Sequence, residues 1–485
     1  QLQAEMSRLH LTRPASLRKK CKWYAGPSMD AARIRPARNS VLPPRMAMFQ
    51  GDTKSTDSVG LQHNCEKYLA TIFQRTTNGE AAAEATDDFC HIIHNECERN
   101  GAKITAAERA ELGKNITSAE IQEAARGRAD TCAGLDGHPF WLYATCERAA
   151  SALADVVNAA REEGRLPFSM RASKVVLLYK GHGPQDLLTN YRALTIASTA
   201  YRLFSRVLAD RLNAVISKLI GDDQTAFVPG RLIQTNFLLV DYAQFRCKRD
   251  QQPGVCLSVD VAKAFDSCSF DFLEKVLKAW GLGDEFVQFA MLPTRAATVR
   301  ADVNGVLTQP VAVQAGVKQG CCLSPLLFIL LLEPLLIAVR ADEAVVGIHT
   351  AKTSAFADDT TFLIRDTESI PAVLAWADRF GVASGLMLNR SKCWLLNLPR
   401  DNPEEGDRAF DIRWLHGDAT ERLLGYTVGH DRQRNQRESW QARTNQYLGA
   451  LTRWNAGLLA YHERSLVHTV FASAGLLYLA AVSVP

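Results

Sequence analysis

A chain of 485 residues with 47% hydrophobic and 22% charged residues can bury more than one ordinary core, and 30 Gly and 18 Pro are too few for a collagen-like or largely disordered polymer. The formal charge of +4 does not by itself announce a polyanion partner. It is unevenly spread: residues 1–50 hold ten Lys/Arg against Glu5 and Asp30, and the remaining 435 residues hold 46 against 50 acids.

Residues 1–60 mix Pro, Arg and Ser with little periodicity and read as a basic, weakly ordered linker, with Arg18-Lys19-Lys20 too short to serve as a decisive address. Gln1 opens no charged-then-apolar signal pattern, and both ends read as cuts from a longer polypeptide. From 61 to 130 the pattern turns into a helical extension, where Thr105-Ala-Ala-Glu108 and Thr117-Ser-Ala-Glu120 have the form of capping boxes. Within it Cys90, His94 and Cys97 share one helix face, a spacing that could in principle present three metal ligands but more often lines an apolar seam. The twelve cysteines form no dense framework, which fits reduced thiols.

Ser173–Lys180 is a β-rich run stopped by Gly181-His-Gly-Pro184, and Thr199–Ile220 carries apolar residues at helical spacing up to Gly221. Gly254–Val261 reads as a buried strand containing Asp260, followed by a helix from Ser269 to Trp280. Ala315–Phe328 is a glycine-bearing turn, with Gly316 and Gly320 for close backbone approach, leading through Ser324-Pro325 into an apolar helix. That apolar run, Leu326–Val339, contains Glu333 and Pro334, and Val470–Val484 is short for a membrane span, so no membrane partner is expected. Ser354–Ile364 has β-formers on both sides of Asp358-Asp359 and reads as a hairpin. Strands and helices interleave without strict βαβ order, so the expected class is α+β.

An Asp-Asp pair alone is a weak signal that more often marks a solvated turn than a site. If the Asp260 strand neighbours the 354–364 hairpin, however, three carboxylates converge, and such a group must raise its pKa values or hold divalent cations. Hard oxygen donors without His or Cys favour magnesium or manganese, and a two-cation carboxylate clamp suits phosphoryl transfer.

Asp260-Val-Ala-Lys-Ala-Phe-Asp266, Gly320-Cys-Cys-Leu-Ser-Pro325 and Phe356-Ala-Asp-Asp359 resemble motifs A, B and C of reverse transcriptases of LINE-type (non-LTR) retrotransposons. Further stretches match in order: Gly134–Pro139, Asn190–Leu194, Asp223–Arg231, Gly385–Lys392 and Leu423–Tyr426, over about residues 105–485. The resemblance implies a right-hand polymerase: fingers and palm over 131–430, and the start of a truncated thumb over 431–485. It implies an RNA-directed DNA polymerase using two Mg2+, with Mn2+ as substitute, an RNA template, a DNA primer or target DNA and deoxynucleoside triphosphates, at work in the nucleus.

By the same resemblance Asp260, Asp358 and Asp359 are the catalytic and metal-holding acids, with Asp359 the more peripheral. Phe265 is the steric gate against a ribose 2′-hydroxyl, Arg192 grips the incoming triphosphate with Lys180 assisting, and Gln319 touches template and nucleotide. Lys392 is the proton donor to pyrophosphate. Ala133, Ala193 and Cys322 depart from the pattern by replacing loop prolines, and Phe356 stands where many relatives have Tyr. Two other readings stay open at this stage: a decayed, non-catalytic nucleic-acid-binding remnant, and a group II intron-type reverse transcriptase or maturase.

Overall fold

The structure, a computed structural model, describes residues 57–74, 77, 79–101, 104–128, 133–349, 351–399, 410–453 and 461–480. The basic arm of residues 1–56, part of the expected thumb and the end of the last apolar run lie outside the described residues. The class is α+β. The strands are β1 (Ala172–Tyr179), β2 (Tyr191–Ile196), β3 (Val255–Val259), β4 (Thr298–Val303), β5 (Val306–Leu307), β6 (Val311–Ala312), β7 (Thr353–Phe356), β8 (Asp359–Ile364), β9 (Trp394–Asn397), β10 (Arg413–Trp414), β11 (Glu421–Leu423) and β12 (Tyr426–Val428). Contacts divide the chain into two compact units.

The first unit takes Cys97–Lys218, Phe265–Phe328 and the described residues before 79. In its sheet β1 lies between antiparallel β2 and parallel β4, and β4 also pairs with β5 and β6. Alternation along β1 turns Ser173, Val175 and Leu177 inward. The helix Ser58–Phe73 covers this sheet with Leu61, Cys65, Tyr68, Leu69 and Ile72, one stripe at helical spacing. Both expected capping boxes form: Thr105 and Thr117 each accept the N–H of the glutamate three residues on, and Glu108 and Glu120 reach back to the cap. Buried Arg211 then fastens these short helices, donating to both carboxylate oxygens of Glu120 and to the carbonyls of Leu112, Lys114 and Asn115.

The helix expected over 199–220 is two helices, Thr199–Asn213 and Ile216–Leu219. The break falls where the Ala214 N–H turns to the carbonyls of Arg211 and Leu212 and that of Val215 to Leu212, a tightened last turn that ends the α-ladder. At the other end Asp136 receives the Thr199 and Ala200 N–H groups at 3.0 and 3.1 Å, a carboxylate on a helix N-terminus.

The second unit takes Gly79–Glu96, Leu219–Ala264 and the described residues from Ile329 on. Its sheet runs β10-β9-β3-β8-β7, with β3 antiparallel to both β8 and β9. Central β3 is apolar on both faces, as a strand covered on both sides requires. On one face the helix Gln234–Asp250 packs Phe237, Val240, Ala243 and Cys247 against Cys256, Leu363 and Trp394. Glu333 and Pro334 do not stop the apolar run: Ser324–Ala341 is one helix, 83% buried inside the protein. None of the ten described cysteines is in a disulfide.

Candidate active site

Each unit carries part of the expected site, and each part is built by its own local geometry. In the second unit β3 ends at Val259, opposite Thr360, so Asp260 leaves the strand beside the start of β8. Its backbone is fixed by the Asn389 N–H, which donates to the Asp260 carbonyl at 2.8 Å, and by the Ala262 N–H on Met387. The hairpin closes at the Phe356–Asp359 pair, leaving Ala357 and Asp358 as a two-residue tip with Ala357 at φ +56°. Asp260, Asp358 and Asp359 thus meet at one end of the β7-β8-β3 ribbon, as a neighbouring β3 requires. Lys392 joins them, its Nζ 3.7 Å from Asp260 Oδ2, on a largely exposed side chain.

The electrostatics follow from this crowding. Burial first, then the charges of Asp358 and Asp260, pushes the Asp359 carboxyl up to about 6, although part of the residue still meets water. Burial and Asp260 raise Asp358 as well. A divalent cation would relieve this repulsion, and the donors are all hard oxygens. Among the described residues no three His, Cys, Asp or Glu side chains already form a ligand cage. The same statement covers Cys90, His94 and Cys97, where the His91 and His94 rings stand edge to face 6.4 Å apart.

Gln224, which lies in the matching stretch Asp223–Arg231 but has no role of its own in the resemblance, holds the hairpin tip. Gln224 is fully buried, and its Oε1 accepts both the Ala226 and the Ala357 N–H at 3.0 Å. Ala355 N–H donates to the Asp223 carbonyl, Thr225 N–H donates to the Ala355 carbonyl, and Asn236 Nδ2 donates to the Ser354 hydroxyl and to the Ala355 carbonyl. Gln224 lies 133 residues from Ala357, so its motif position marks it in the sequence but does not show what it holds.

In the first unit Lys180 and Arg192 lie on the β1–β2 hairpin. Lys180 Nζ donates to the Thr189 carbonyl, and Arg192, opposite Leu178, is exposed. Phe265 is half-buried, stacked on Phe328 at 4.4 Å, so its ring is fixed by packing and still reaches the surface. Gln319 Nε2 donates to both Asp266 oxygens at 3.1 Å, while its carbonyl accepts the Thr195 N–H of β2. Gly316 and Gly320 are needed where the turn passes other backbone: φ is +90° and +102°, and a Cβ would stand 2.5 Å from the Asp266 carbonyl and 2.9 Å from that of Thr195.

Between them Lys318 is buried with its Nζ 4.4 Å from the Tyr201 ring centroid and no hydrogen-bond acceptor among the described residues. Burial lowers its pKa to about 8. Lys318→Met is therefore expected to raise unfolding free energy at neutral pH by about 1–3 kcal/mol. The folded pKa lies below the unfolded value, so the penalty is full below pH about 8 and fades toward the ordinary lysine range. Urea titrations at pH 7 and pH 10 check this: the gap between the two proteins should narrow at the higher pH.

Residues 180–450 match the profile of the family described as reverse transcriptase (RNA-dependent DNA polymerase). The chain is 32% identical over 244 residues to the transposon TX1 uncharacterized 149 kDa protein of Xenopus laevis, covering 49% of this chain and 18% of that protein. It is 30% identical over 283 residues to the retrovirus-related Pol polyprotein from type-1 retrotransposable element R2 of Popillia japonica, covering 57% and 38%. The corresponding polyprotein from element R2DM of Drosophila melanogaster is 28% identical over 239 residues, covering 48% and 22%. The chain thus spans well under half the length of these relatives. With the profile matching more than half of it, the chain belongs to the reverse transcriptase (RNA-dependent DNA polymerase) family, in its LINE-type (non-LTR) retrotransposon branch.

Proposed function

We propose that this chain is the RNA-directed DNA polymerase segment of a retrotransposon protein, extending a DNA 3′ end on an RNA template with deoxynucleoside triphosphates. The observation that carries this reading is the end of β3 at Asp260 beside the hairpin tip at Asp358 and Asp359. In the same reading residues 131–430 are fingers and palm, 61–130 a helical extension, 431–485 the start of a thumb, and the work is done on DNA in the nucleus.

Asp260 and Asp358 would hold two Mg2+, or Mn2+ in substitution, with Asp359 at the periphery. Such cations supply Lewis acidity to the attacking and leaving oxygens of an in-line displacement. The protein's own contribution is placement. The Asp260 backbone bonds and the Gln224 amide keep two carboxylates on rigid strand ends rather than on a mobile loop. Arg192 offers a planar fork to triphosphate oxygens, with Lys180 assisting from the same hairpin. Gln319, its amide held by Asp266, presents a fixed polar edge to the template–nucleotide pair. Lys392, whose Nζ lies 3.7 Å from Asp260 Oδ2, would give a proton to the departing pyrophosphate.

Phe265 sets sugar choice in this account, because a ring locked by Phe328 cannot yield to a 2′-hydroxyl. Phe265→Ala should raise ribonucleotide incorporation relative to deoxynucleotide by about 10–100-fold. Competition assays with paired dCTP and CTP give the ratio, and an unchanged value removes Phe265 from this role. The function itself is tested by deoxynucleotide incorporation on an RNA template with and without EDTA. Incorporation only on DNA templates, or equally well without divalent cation, would contradict it.

A further inference from the structure

We propose that Phe227 is a nucleic-acid contact whose ring lies against the last base pair of the growing RNA–DNA hybrid; this rests on the reading of function given above. The loop that carries Phe227 is tightly held. Arg231 donates to the carbonyls of Ile220, Gly221 and Gln224, and the buried Gln224 side chain accepts the Ala226 N–H. Val228, the next residue, is buried.

Within this frame Phe227 itself is anomalous on two counts. Its φ is +58°, in the left-handed region that a bulky side chain enters only at a steric cost, and the side chain is 45% exposed, so burial does not offset that cost. Glycine would occupy the position without strain, and strain of this kind collects at functional sites. The ring sits 6.4 Å from that of Phe356, tilted by 34°. Phe356 forms the closing pair of the hairpin with Asp359, so the exposed Phe227 ring lies one aromatic ring away from the end of the hairpin that carries the carboxylates.

The chemistry of that end selects the occupant. A lysine or arginine here would pair with the aspartates, whereas a neutral ring leaves them free for cations. The ring in turn takes the uncharged parts of a polyanion, its sugar and base faces. A primer end presented to Asp260 and Asp358 brings those faces to this edge of the hairpin.

The test compares wild type with Phe227→Gly and Phe227→Tyr as whole chains. The probe is an RNA–DNA hybrid with a recessed, dideoxy-terminated DNA 3′ end, and binding is read by fluorescence anisotropy beside thermal unfolding. Phe227→Gly should bind about tenfold more weakly with an unfolding temperature equal to or above wild type, and Phe227→Tyr should bind within about twofold of wild type. Unchanged binding by Phe227→Gly overturns the contact, and so does a lowered unfolding temperature with binding lost in proportion, which would make the ring a packing element. A wild type that binds the hybrid but adds no nucleotide to an otherwise identical primer ending in a 3′-hydroxyl instead sinks the polymerase reading, and the Phe227 comparison is still read from binding.

Discussion

Replacing Arg340 with methionine should lower the unfolding free energy by about 3–5 kcal/mol, the cost of stranding buried charge. Arg340 donates through Nη1 to both oxygens of Asp223 at 2.6 and 2.8 Å and through Nη2 to Glu333 Oε1 at 2.5 Å. Glu333 is wholly buried and, even with its partner present, burial holds its carboxyl up at about 7. Without the guanidinium, two acids face each other with little water. The damage should reach the hairpin, because Asp223 accepts the Thr353 hydroxyl through its carboxylate and the Ala355 N–H through its carbonyl.

The pH dependence has a definite sign. Glu333 titrates higher folded than unfolded, so its charged form is a penalty that accrues as pH rises from about 4.5, and losing Arg340 extends that penalty upward. The deficit of Arg340→Met should therefore shrink between pH 7 and pH 5. The double variant Arg340→Met/Glu333→Met should recover part of the loss at pH 7. Denaturant midpoints at the two pH values decide it, and a deficit that does not vary with pH would mean that lost packing dominates.

Asp358→Ala should abolish primer extension by about a thousandfold or more while leaving stability equal to or slightly above wild type. The rate estimate follows from several kcal/mol of charge stabilisation forfeited with one cation ligand. The stability estimate follows from the raised pKa: a carboxyl that burial and Asp260 keep uncomfortable contributes nothing to folding at neutral pH. Loss of activity accompanied by unfolding would instead make Asp358 a structural residue.

Much of the second unit's frame was legible along the chain because its signals are local. β3 is a short apolar run bounded by Pro253-Gly254, and the hairpin is two β-forming segments around a polar pair. The condition for the three aspartates to converge, that these two segments pair as neighbours, is met by β3 and β8. The capping boxes at Thr105 and Thr117 were equally local. What escaped notice depends on contacts distant in sequence. Gln224 acquires its place only when Ala357 arrives from 133 residues away. The Asp223–Arg340–Glu333 group draws on separate segments, and Glu333 with Pro334 read as an interruption of a helix that in fact continues. Burial on all sides outweighs the one hydrogen bond that proline removes. The helix Gln234–Asp250 mixes polar and apolar residues on both sides, so its periodicity gave no signal although Phe237 and Val240 anchor a core.

Single-turnover extension of a DNA primer on an RNA template in Mg2+ tests whether Asp260 and Asp358 make this chain an RNA-copying DNA polymerase. Wild type and Asp358→Ala are run side by side. The account predicts templated deoxynucleotide addition by wild type and none above background by Asp358→Ala at equal foldedness and equal hybrid binding. Equal incorporation by the two proteins, or none by wild type, would contradict it.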